Sequence, residues 1–302
     1  MVGDHLETDT TLAVVVQHRG EVVAEAYADG VTAGTTLISW SMAKSITHAL
    51  VGKAQMDGLL DVRATTGIAQ WQNDDRKHIT LQHLLEMRSG LAWIEDYVKG
   101  NESDVIEMLF GTGKDDHAAY AINQQLSSTP GSEWYYSSGT TNIISRLLGD
   151  ALGDKNGSHD KTYSFMQTRL FDAIGMASAT AQFDLAGTFV GSSYVYATVR
   201  DFAKFGELYL RDGIWDNNRV LPSGWVDHAR AQTVIDDETG QGYGAHWWTQ
   251  PGEPRSLIAS GYEGQQIFVL PERDLVIVRL GKTVAEKRAK VREELFEIAQ
   301  LF

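Results

Sequence analysis

Strand-forming segments lie at the two ends of this 302-residue chain, and helical periodicity fills the middle. Short runs rich in β-branched residues, separated by tight turns, are typical of antiparallel strands. Segments so far apart can share one sheet only if that sheet is assembled from both ends of the chain. The order therefore predicts an α/β (α+β) fold, an antiparallel sheet flanked by helices with an inserted all-α domain. The predicted strands are residues 12–16, 22–27, 257–260, 265–270 and 275–280.

The helical patterns set the predicted domain boundaries. Apolar residues at i, i+4 spacing predict a helix over residues 40–59, and residues 284–302 predict a final amphipathic helix. We predict a discontinuous sheet domain, residues 1–60 plus 190–302. The mostly helical domain, residues 61–189, is inserted in it. With 43% hydrophobic residues, the chain can bury a core of this size.

Charge and composition narrow the class of partner. Acidic residues outnumber basic ones by 40 to 26, which gives a formal net charge of −14. Such a chain repels phosphate backbones and anionic lipid, so we expect no nucleic-acid partner and no membrane insertion. The chain has no Cys, hence no thiol nucleophile, disulfide or Cys-based metal site. No group of His and carboxylate residues has metal-ligand spacing, and we expect neither a metal nor a cofactor.

The N-terminal residues give an expectation about the cellular location of the protein. Residues 1–9 lack the basic and apolar regions of a signal peptide. The chain as it stands is therefore expected to be cytoplasmic. It would be periplasmic or secreted if a leader had been removed.

Two Ser-x-x-Lys strings are the candidate nucleophilic motifs. Ser41 and Lys44 stand at the start of the predicted helix, whereas Ser158 and Lys161 lie in a polar loop. At the first turn of a helix, residues i and i+3 share a face, so the Ser41 hydroxyl and the Lys44 amine can touch. The helix N-terminus adds free N–H groups and partial positive charge, which stabilise an oxyanion and help to keep the lysine deprotonated. Ser158 has none of these supports and is predicted to be a surface residue.

An ordinary N-cap is the alternative interpretation of Ser41, and the helix alone favours it. His48 lies two turns further along the predicted helix, about 10 Å from Ser41, which is too far for a base. We interpret it as a buried histidine. Tyr136, taken alone, is more typical of a half-buried core tyrosine.

Residues 39–45, Ser-Trp-Ser-Met-Ala-Lys-Ser, resemble the active-site helix of the serine β-lactamase-like hydrolases. This superfamily includes penicillin-binding proteins, class C β-lactamases, family VIII esterases and 6-aminohexanoate-dimer hydrolases. The resemblance extends in order from about residue 14 to residue 280 and is strongest to the esterase and aminohexanoate-dimer hydrolase branch. It implies a β-lactamase/transpeptidase-like fold. The further matching blocks are Ile79-Thr80-Leu81, Ser89-Gly90-Leu91, Pro130-Gly131, Tyr136-Ser137-Ser138, Ala197-Thr198-Val199-Arg200-Asp201 and Gly261-Tyr262-Glu263-Gly264-Gln265.

The resemblance implies roles at the matching positions. Ser41 would be the nucleophile, Lys44 its general base, and Tyr136 the second base or a proton shuttle. The backbone N–H groups of Ser41 and Tyr262 would form the oxyanion hole. Physical chemistry supports these roles, because a serine hydroxyl needs a neighbour to take its proton. In a desolvated site, the apparent pKa values of a lysine and tyrosine that share a proton are expected to fall.

Two departures from the family pattern bear on the substrate. Where β-lactamases have Lys-Thr-Gly, this chain has Ala259-Ser260-Gly261, so the cation that grips a substrate carboxylate is missing. Arg255, near the start of the same strand, is the first alternative cation. Where the family has Tyr-x-Asn, Ser138 replaces the Asn, as in the aminohexanoate hydrolases. Ser138 and Gly261 are predicted to bind substrate.

Aromatic residues are the further candidates for the walls of the cleft, because apolar pockets favour them. Tyr97 and Trp93 are predicted to lean over the site, with a core or surface position as the alternative. Trp247 is a third candidate, with aromatic packing as its alternative. The intervening Glu95-Asp96 is interpreted as a solvated loop pair.

The expected function is acyl transfer to water. We expect a serine hydrolase that cleaves small carboxylic esters or amides through a covalent acyl-Ser41 intermediate. A β-lactamase or D-alanyl-D-alanine carboxypeptidase is the alternative among enzymes. A non-catalytic penicillin-binding-like protein or pseudo-enzyme is the alternative of another class. The oligomeric state stays open.

Overall fold

The computed structural model describes residues 10–98 and 100–302, so the prediction about residues 1–9 lies outside it. The strands are β1 (Thr10–His18), β2 (Glu21–Tyr27), β3 (Leu37–Ile38), β4 (Thr180–Ala181), β5 (Val195–Ala197), β6 (Ile214–Trp215), β7 (Asn218–Arg219), β8 (Val234–Ile235), β9 (Gly242–Tyr243), β10 (Trp248–Thr249), β11 (Leu257–Gly261), β12 (Gln265–Leu270) and β13 (Leu275–Lys282). The helices are α1 (Met42–Met56), α2 (Leu81–Leu85), α3 (Asp104–Phe110), α4 (His117–Ile122), α5 (Ser138–Leu152), α6 (Asp160–Met166), α7 (Val199–Leu210), α8 (Trp225–Arg230) and α9 (Arg288–Ala299).

The main sheet is built from both ends of the chain, as the sequence predicts. It has eight antiparallel strands in the order β2-β1-β13-β12-β11-β10-β9-β8, so the first strands join the last one. In the β1–β13 pairing, Val15 lies opposite Val278. Arg19 and Gly20, both with positive φ, form the tight turn of the β1–β2 hairpin. The predicted α/β fold, an antiparallel sheet with helices, is confirmed.

Helices pack on both faces of the sheet. Alternation along β13 sends Val276 and Val278 into the larger core and Ile277 into a smaller cluster on the other face. Helix α7 packs on the larger-core face, against β1, β12 and β13. Helix α9 covers the smaller cluster with Val291 and Leu295. Helix α1, which carries Lys44, packs between β11 and α5.

The structure differs from the predicted elements mainly where segments are short. Strands β8, β9 and β10 extend the sheet and were not predicted, because two residues each show no periodicity. The helix predicted over residues 40–59 spans only α1, and the one predicted over residues 284–302 spans only α9. The division into residues 1–60 plus 190–302 and residues 61–189 stays a prediction.

Candidate active site

Ser41 immediately precedes α1, and its side chain makes no capping hydrogen bond. Ser41 therefore occupies the N-cap position without acting as a side-chain cap. The preceding residue, Trp40, has a φ of 44°, a left-handed conformation that is strained for a bulky side chain. The Trp40 ring lies edge-on to Tyr262 at 5.7 Å, and its Nε1 donates to Glu263 at 3.3 Å. These contacts hold the turn and leave the Ser41 hydroxyl free to meet Lys44.

Lys44 is 2% exposed, and three oxygen atoms surround its Nζ. The Ser41 Oγ lies at 3.0 Å, the Ser138 Oγ at 2.9 Å and the carbonyl oxygen of Ser192 at 3.1 Å. Burial lowers the pKa of Lys44 to about 8, although the nearby Glu95 carboxylate acts in the opposite direction. About a tenth of Lys44 is therefore deprotonated at neutral pH. The amine can serve as a base there.

The partners of Lys44 determine where its lone pair points. A neutral amine has two N–H donors and one lone pair. The Ser192 carbonyl can only accept a hydrogen bond. Ser138 Oγ donates its own proton to Glu95 Oε1 at 2.5 Å, so it too accepts from Lys44. The remaining position on a neutral Nζ faces the Ser41 Oγ, which can pass its proton to the lone pair.

Glu95 is the functional residue that the sequence reasoning missed, because we interpreted it as part of a solvated loop pair. Its Oε1 accepts from Ser138 Oγ at 2.5 Å and from the Tyr97 hydroxyl at 2.6 Å. Its Oε2 accepts from Ser138 N at 2.8 Å and from Trp93 Nε1 at 2.6 Å. These donors fill the acceptor positions of the carboxylate. The missed signal is spacing: in an extended segment, residues 93, 95 and 97 share one side.

Trp93 and Tyr97 hold Glu95 from its two sides, but they differ in exposure. Trp93 is buried, and a Cβ added to Gly139 would come within 2.5 Å of its ring, so it packs as a core residue. Tyr97 keeps 40% of its surface exposed, and its ring lies 5.2 Å from that of Tyr262. Burial of the hydroxyl and the adjacent Glu95 carboxylate raise the pKa of Tyr97 well above its usual value. Tyr97, rather than Trp93, is placed to contact a substrate.

Tyr136 lies beside the Ser41 and Lys44 pair. The Lys44 Nζ lies 4.8 Å from the centre of its ring, which also stacks on Trp248 at 5.7 Å and lies edge-on to Tyr243 at 6.0 Å. Burial raises the pKa of Tyr136 far above its usual value, the Glu95 carboxylate adds to the rise, and contact with the Ser41 hydroxyl opposes it. The expected fall of both apparent pKa values is therefore wrong for the tyrosine. A hydroxyl that keeps its proton is suited to donate or shuttle one.

Gly261 and Tyr262 come where β11 ends, next to the segment that precedes Ser41. A Cβ on Gly261 would come within 2.5 Å of the Ser39 carbonyl oxygen, so only glycine allows this approach. Within the described residues, neither the Ser41 N–H nor the Tyr262 N–H donates to another protein group. Both amides are therefore available to an oxyanion.

The prediction that Trp247 lines the cleft is wrong. Its side chain is 0% exposed, and its ring packs against Tyr209 at 4.5 Å and Phe205 at 5.9 Å, both from α7. Side chains alternate along an extended segment, so the next residue, Trp248, points to the other side and stacks on Tyr136. The sequence argument named Trp247, whereas Trp248 is the tryptophan in contact with Tyr136.

The candidate cation named from the sequence, Arg255, does not replace the lysine that is missing at position 259. Ala259, at the position of that lysine, is buried in the core. Arg255 precedes Gly261 by six residues, about 20 Å of extended chain, and lines a different cavity. A cation that the sequence argument did not consider, Arg288, lies 4.4 Å above the Tyr262 ring.

The remaining candidates are structural. His48 is fully buried and hydrogen-bonds the Tyr209 hydroxyl at 2.7 Å, which confirms its interpretation as a buried histidine. In the second Ser-x-x-Lys string, the Ser158 Oγ bonds to Asp160, whereas Lys161 bonds to a carbonyl oxygen. Those two side chains therefore do not form a pair.

Two further features of the described residues concern metal ions and membranes. Across residues 10–98 and 100–302, no group of three or more His, Cys, Asp and Glu side chains is arranged to hold a metal ion. In the same residues, no helix has the length and apolar character needed to cross a bilayer.

The sequence of this chain is similar to those of known proteins. The sequence profile of the beta-lactamase family matches residues 7–300. The 6-aminohexanoate-dimer hydrolase of Paenarthrobacter ureafaciens is 26% identical over 292 residues, which are 91% of this chain and 73% of that protein.

Solved structures share the fold at low sequence identity. A Bacillus anthracis protein, assigned provisionally as a 6-aminohexanoate-dimer hydrolase, superposes with a TM-score of 0.81 at 22% identity, over 96% of this chain and 79% of that one. A D-stereospecific amidohydrolase from Streptomyces gives a TM-score of 0.67 at 14% identity, over 92% of each chain. The profile match spans nearly the whole chain, and this protein therefore belongs to the beta-lactamase family of serine hydrolases.

Proposed function

We propose that this protein hydrolyses small carboxylic amides or esters through a covalent acyl-Ser41 intermediate. The contact between Lys44 Nζ and Ser41 Oγ at 3.0 Å carries the proposal. The two other partners of that amine leave its lone pair for the serine proton. The lowered pKa of Lys44 supports its role as the base.

The proposed reaction runs in two halves. In acylation, the Ser41 oxygen attacks the substrate carbonyl carbon while its proton passes to neutral Lys44. The carbonyl oxygen becomes an oxyanion held by the N–H groups of Ser41 and Tyr262. The intermediate collapses with cleavage of the C–N or C–O bond. The leaving group takes a proton from Tyr136, which regains one from the Lys44 ammonium.

Deacylation repeats these transfers with water as the nucleophile. Water loses a proton to Lys44 as it attacks the acyl-Ser41 ester. The carbon–oxygen bond to Ser41 then breaks, and the serine oxygen regains a proton. The products are a carboxylic acid and the free enzyme, with no net proton gained by the protein.

An unstrained amide with a cationic end is the substrate class that we favour. The relative from Paenarthrobacter ureafaciens acts, by its name, on a 6-aminohexanoate dimer. Such a dimer is a linear amide with an ammonium group at one end and a carboxylate at the other, and the ammonium is the end that we expect this site to favour. In this chain the Glu95 carboxylate lies one hydrogen bond from Ser138 and two from Lys44. A negative charge so close to the reacting serine favours a substrate cation over a substrate anion.

The test is hydrolysis of a neutral p-nitrophenyl ester and of a linear aminohexanoate dimer. We expect Ser41→Ala to lose about 10³-fold or more in kcat, because nothing nearby replaces a covalent nucleophile. Ser158→Ala, the matched change in the second Ser-x-x-Lys string, should retain wild-type kcat. Loss of activity in Ser158→Ala together with an active Ser41→Ala would refute the assignment.

The same assay separates an enzyme from a non-catalytic binding protein. A pseudo-enzyme would release at most one equivalent of nitrophenol and then stop, with an acyl group retained on Ser41. We expect sustained release of many equivalents. A single-equivalent burst with a stable mass increase on the protein would favour the binding protein.

A further inference from the structure

A second concave region lies outside the active site, beside the edge of the sheet that β8, β9 and β10 form. It is a cavity of about 290 Å³ between the end of α8 and the segment that follows β10. None of the residues that line it belongs to the candidate active site. The residues that matter to the argument are Arg230, Thr249, Glu253 and Arg255.

Arg230 brings buried donors to this cavity. Its side chain is 13% exposed, and its Nε and Nη1 are shielded from solvent with no hydrogen-bond partner in the described part of the chain. The Thr249 hydroxyl is shielded and without a partner in the same way. Asp227 lies 3.7 Å from Arg230 Nε, but 75% of its side chain is exposed, so the ion pair is long and screened. Buried guanidinium donors are normally satisfied, yet these have no hydrogen-bond acceptor among residues 10–98 and 100–302.

Arg255 adds a second guanidinium to the same wall. It is exposed and, within the described residues, has no carboxylate at ion-pair distance. Burial lowers the pKa of Arg230, and the positive charge of Arg255 lowers it further, whereas Asp227 and Asp212 act in the opposite direction. Two cations that repel each other at one cavity are stabilised when an anion lies between them.

The acidic residue in the wall is already engaged. Glu253 accepts from Arg273 at 2.9 and 3.4 Å, so its charge is balanced outside the pair of arginines. The cavity is therefore locally basic in a chain whose formal net charge is −14. A net charge of either sign keeps a protein soluble. Solubility therefore does not explain why this acidic chain has a locally basic cavity.

We propose that this cavity binds a small oxyanion with more than one negative charge, held by Arg230 and Arg255. The planar guanidinium fork matches the spacing of the oxygens of a phosphate or carboxylate group. The Thr249 hydroxyl supplies a further donor. The site needs no contact with Ser41 and is independent of the proposed hydrolase function.

Isothermal titration of the full chain with inorganic pyrophosphate and, separately, with citrate tests the proposal at constant ionic strength in chloride buffer. We expect saturable binding with one equivalent of at least one of these anions. Arg255→Gln should weaken that binding about 10-fold or more, because a charge-assisted hydrogen bond is lost. Arg63→Gln removes the same charge from an exposed position elsewhere and should leave the affinity unchanged.

The two anions distinguish the sources of the ligand. Binding of pyrophosphate alone identifies a phosphate site, and binding of citrate alone identifies a carboxylate site. Arg230→Gln should weaken binding at least as much as Arg255→Gln, with thermal unfolding measured to check that it folds. Because Arg255 is exposed, Arg255→Gln keeps the test decisive even if Arg230→Gln is unstable. Absence of saturable binding, or equal losses in Arg255→Gln and Arg63→Gln, would overturn the proposal.

Discussion

Lys44 sets the pH range in which the proposed reaction can run. Only its neutral form accepts the Ser41 proton, and its pKa is lowered to about 8. We expect kcat/KM for a neutral ester to rise with pH, about tenfold per unit below that value, and to level off above it. The measurement is a pH profile from about 5 to 10 with Ser41→Ala as the blank. A profile that is flat between pH 6 and 9 would contradict Lys44 as the base.

A substitution at Glu95 provides a second test of Lys44 as the base. Its carboxylate raises the pKa of Lys44, so Glu95→Gln should move the midpoint of the pH profile to lower pH. The neutral amide cannot accept all the hydrogen bonds that the carboxylate accepts, so we also expect kcat to fall. Asp96→Asn, the same change in the next residue, should leave the midpoint in place. An unmoved or raised midpoint in Glu95→Gln would mean that the two charges do not interact.

Among individual residues, helix geometry predicted Ser41 and Lys44 as neighbours. The resemblance to the family pattern added Tyr136 and Ser138. Glu95 could not be found from charge, since a carboxylate in a loop is usually solvated. Its position depends on hydrogen bonds from Ser138, 43 residues away in the chain. Long-range pairing of this kind has no periodic signature in the sequence.

Long helices and strands were predicted from the sequence, whereas the two-residue strands were missed. Strand β13 and helix α1 span eight and fifteen residues, enough for a period to be visible. Strand β10 spans two, and the error over Trp247, which immediately precedes it, arose because the face of a strand cannot be deduced without its register. The hairpin of β1 and β2 was predicted from its turn, where Arg19 and Gly20 adopt positive φ.

The end of β11 offers a test at the level of an element. Gly261→Ala would place a methyl group within 2.5 Å of the Ser39 carbonyl oxygen and would push the strand away from the turn at Trp40. Since the Tyr262 N–H would move with the strand, we expect kcat/KM to fall by about 10- to 100-fold.

Gly34→Ala is the matched control for that substitution. A methyl group there would meet only the Thr32 hydroxyl at 3.8 Å, so we expect wild-type kcat/KM. Wild-type activity in Gly261→Ala would show that the oxyanion hole does not depend on this close approach.

The charge of the whole molecule bears on substrate choice. The family's substrate-gripping lysine is replaced by buried Ala259, and the net charge is −14. Loss of one charge-assisted hydrogen bond costs an anionic substrate about 10- to 100-fold. We therefore expect kcat/KM to be much higher for a neutral ester than for nitrocefin. Added salt should narrow the difference by screening.

Efficient nitrocefin turnover would contradict this expectation and favour the β-lactamase alternative. A carboxylate anchor would then have to exist, and Arg288 over the Tyr262 ring would be the first residue to replace. Arg288→Gln should abolish the nitrocefin activity in that case and leave ester hydrolysis unchanged.

The pairing of the first strand with the last has a consequence for the order in which the protein matures. Thr10 pairs with Lys282, so most of the chain must be synthesised before β1 meets its partner. Contacts of such large sequence separation form slowly. The chain loses entropy when the loop closes, before strand pairing contributes any favourable free energy. A ribosome making this protein releases Ser41, the proposed nucleophile, early and Tyr262 late. The growing chain therefore carries Ser41 well before it carries the Tyr262 amide that would complete the proposed oxyanion hole.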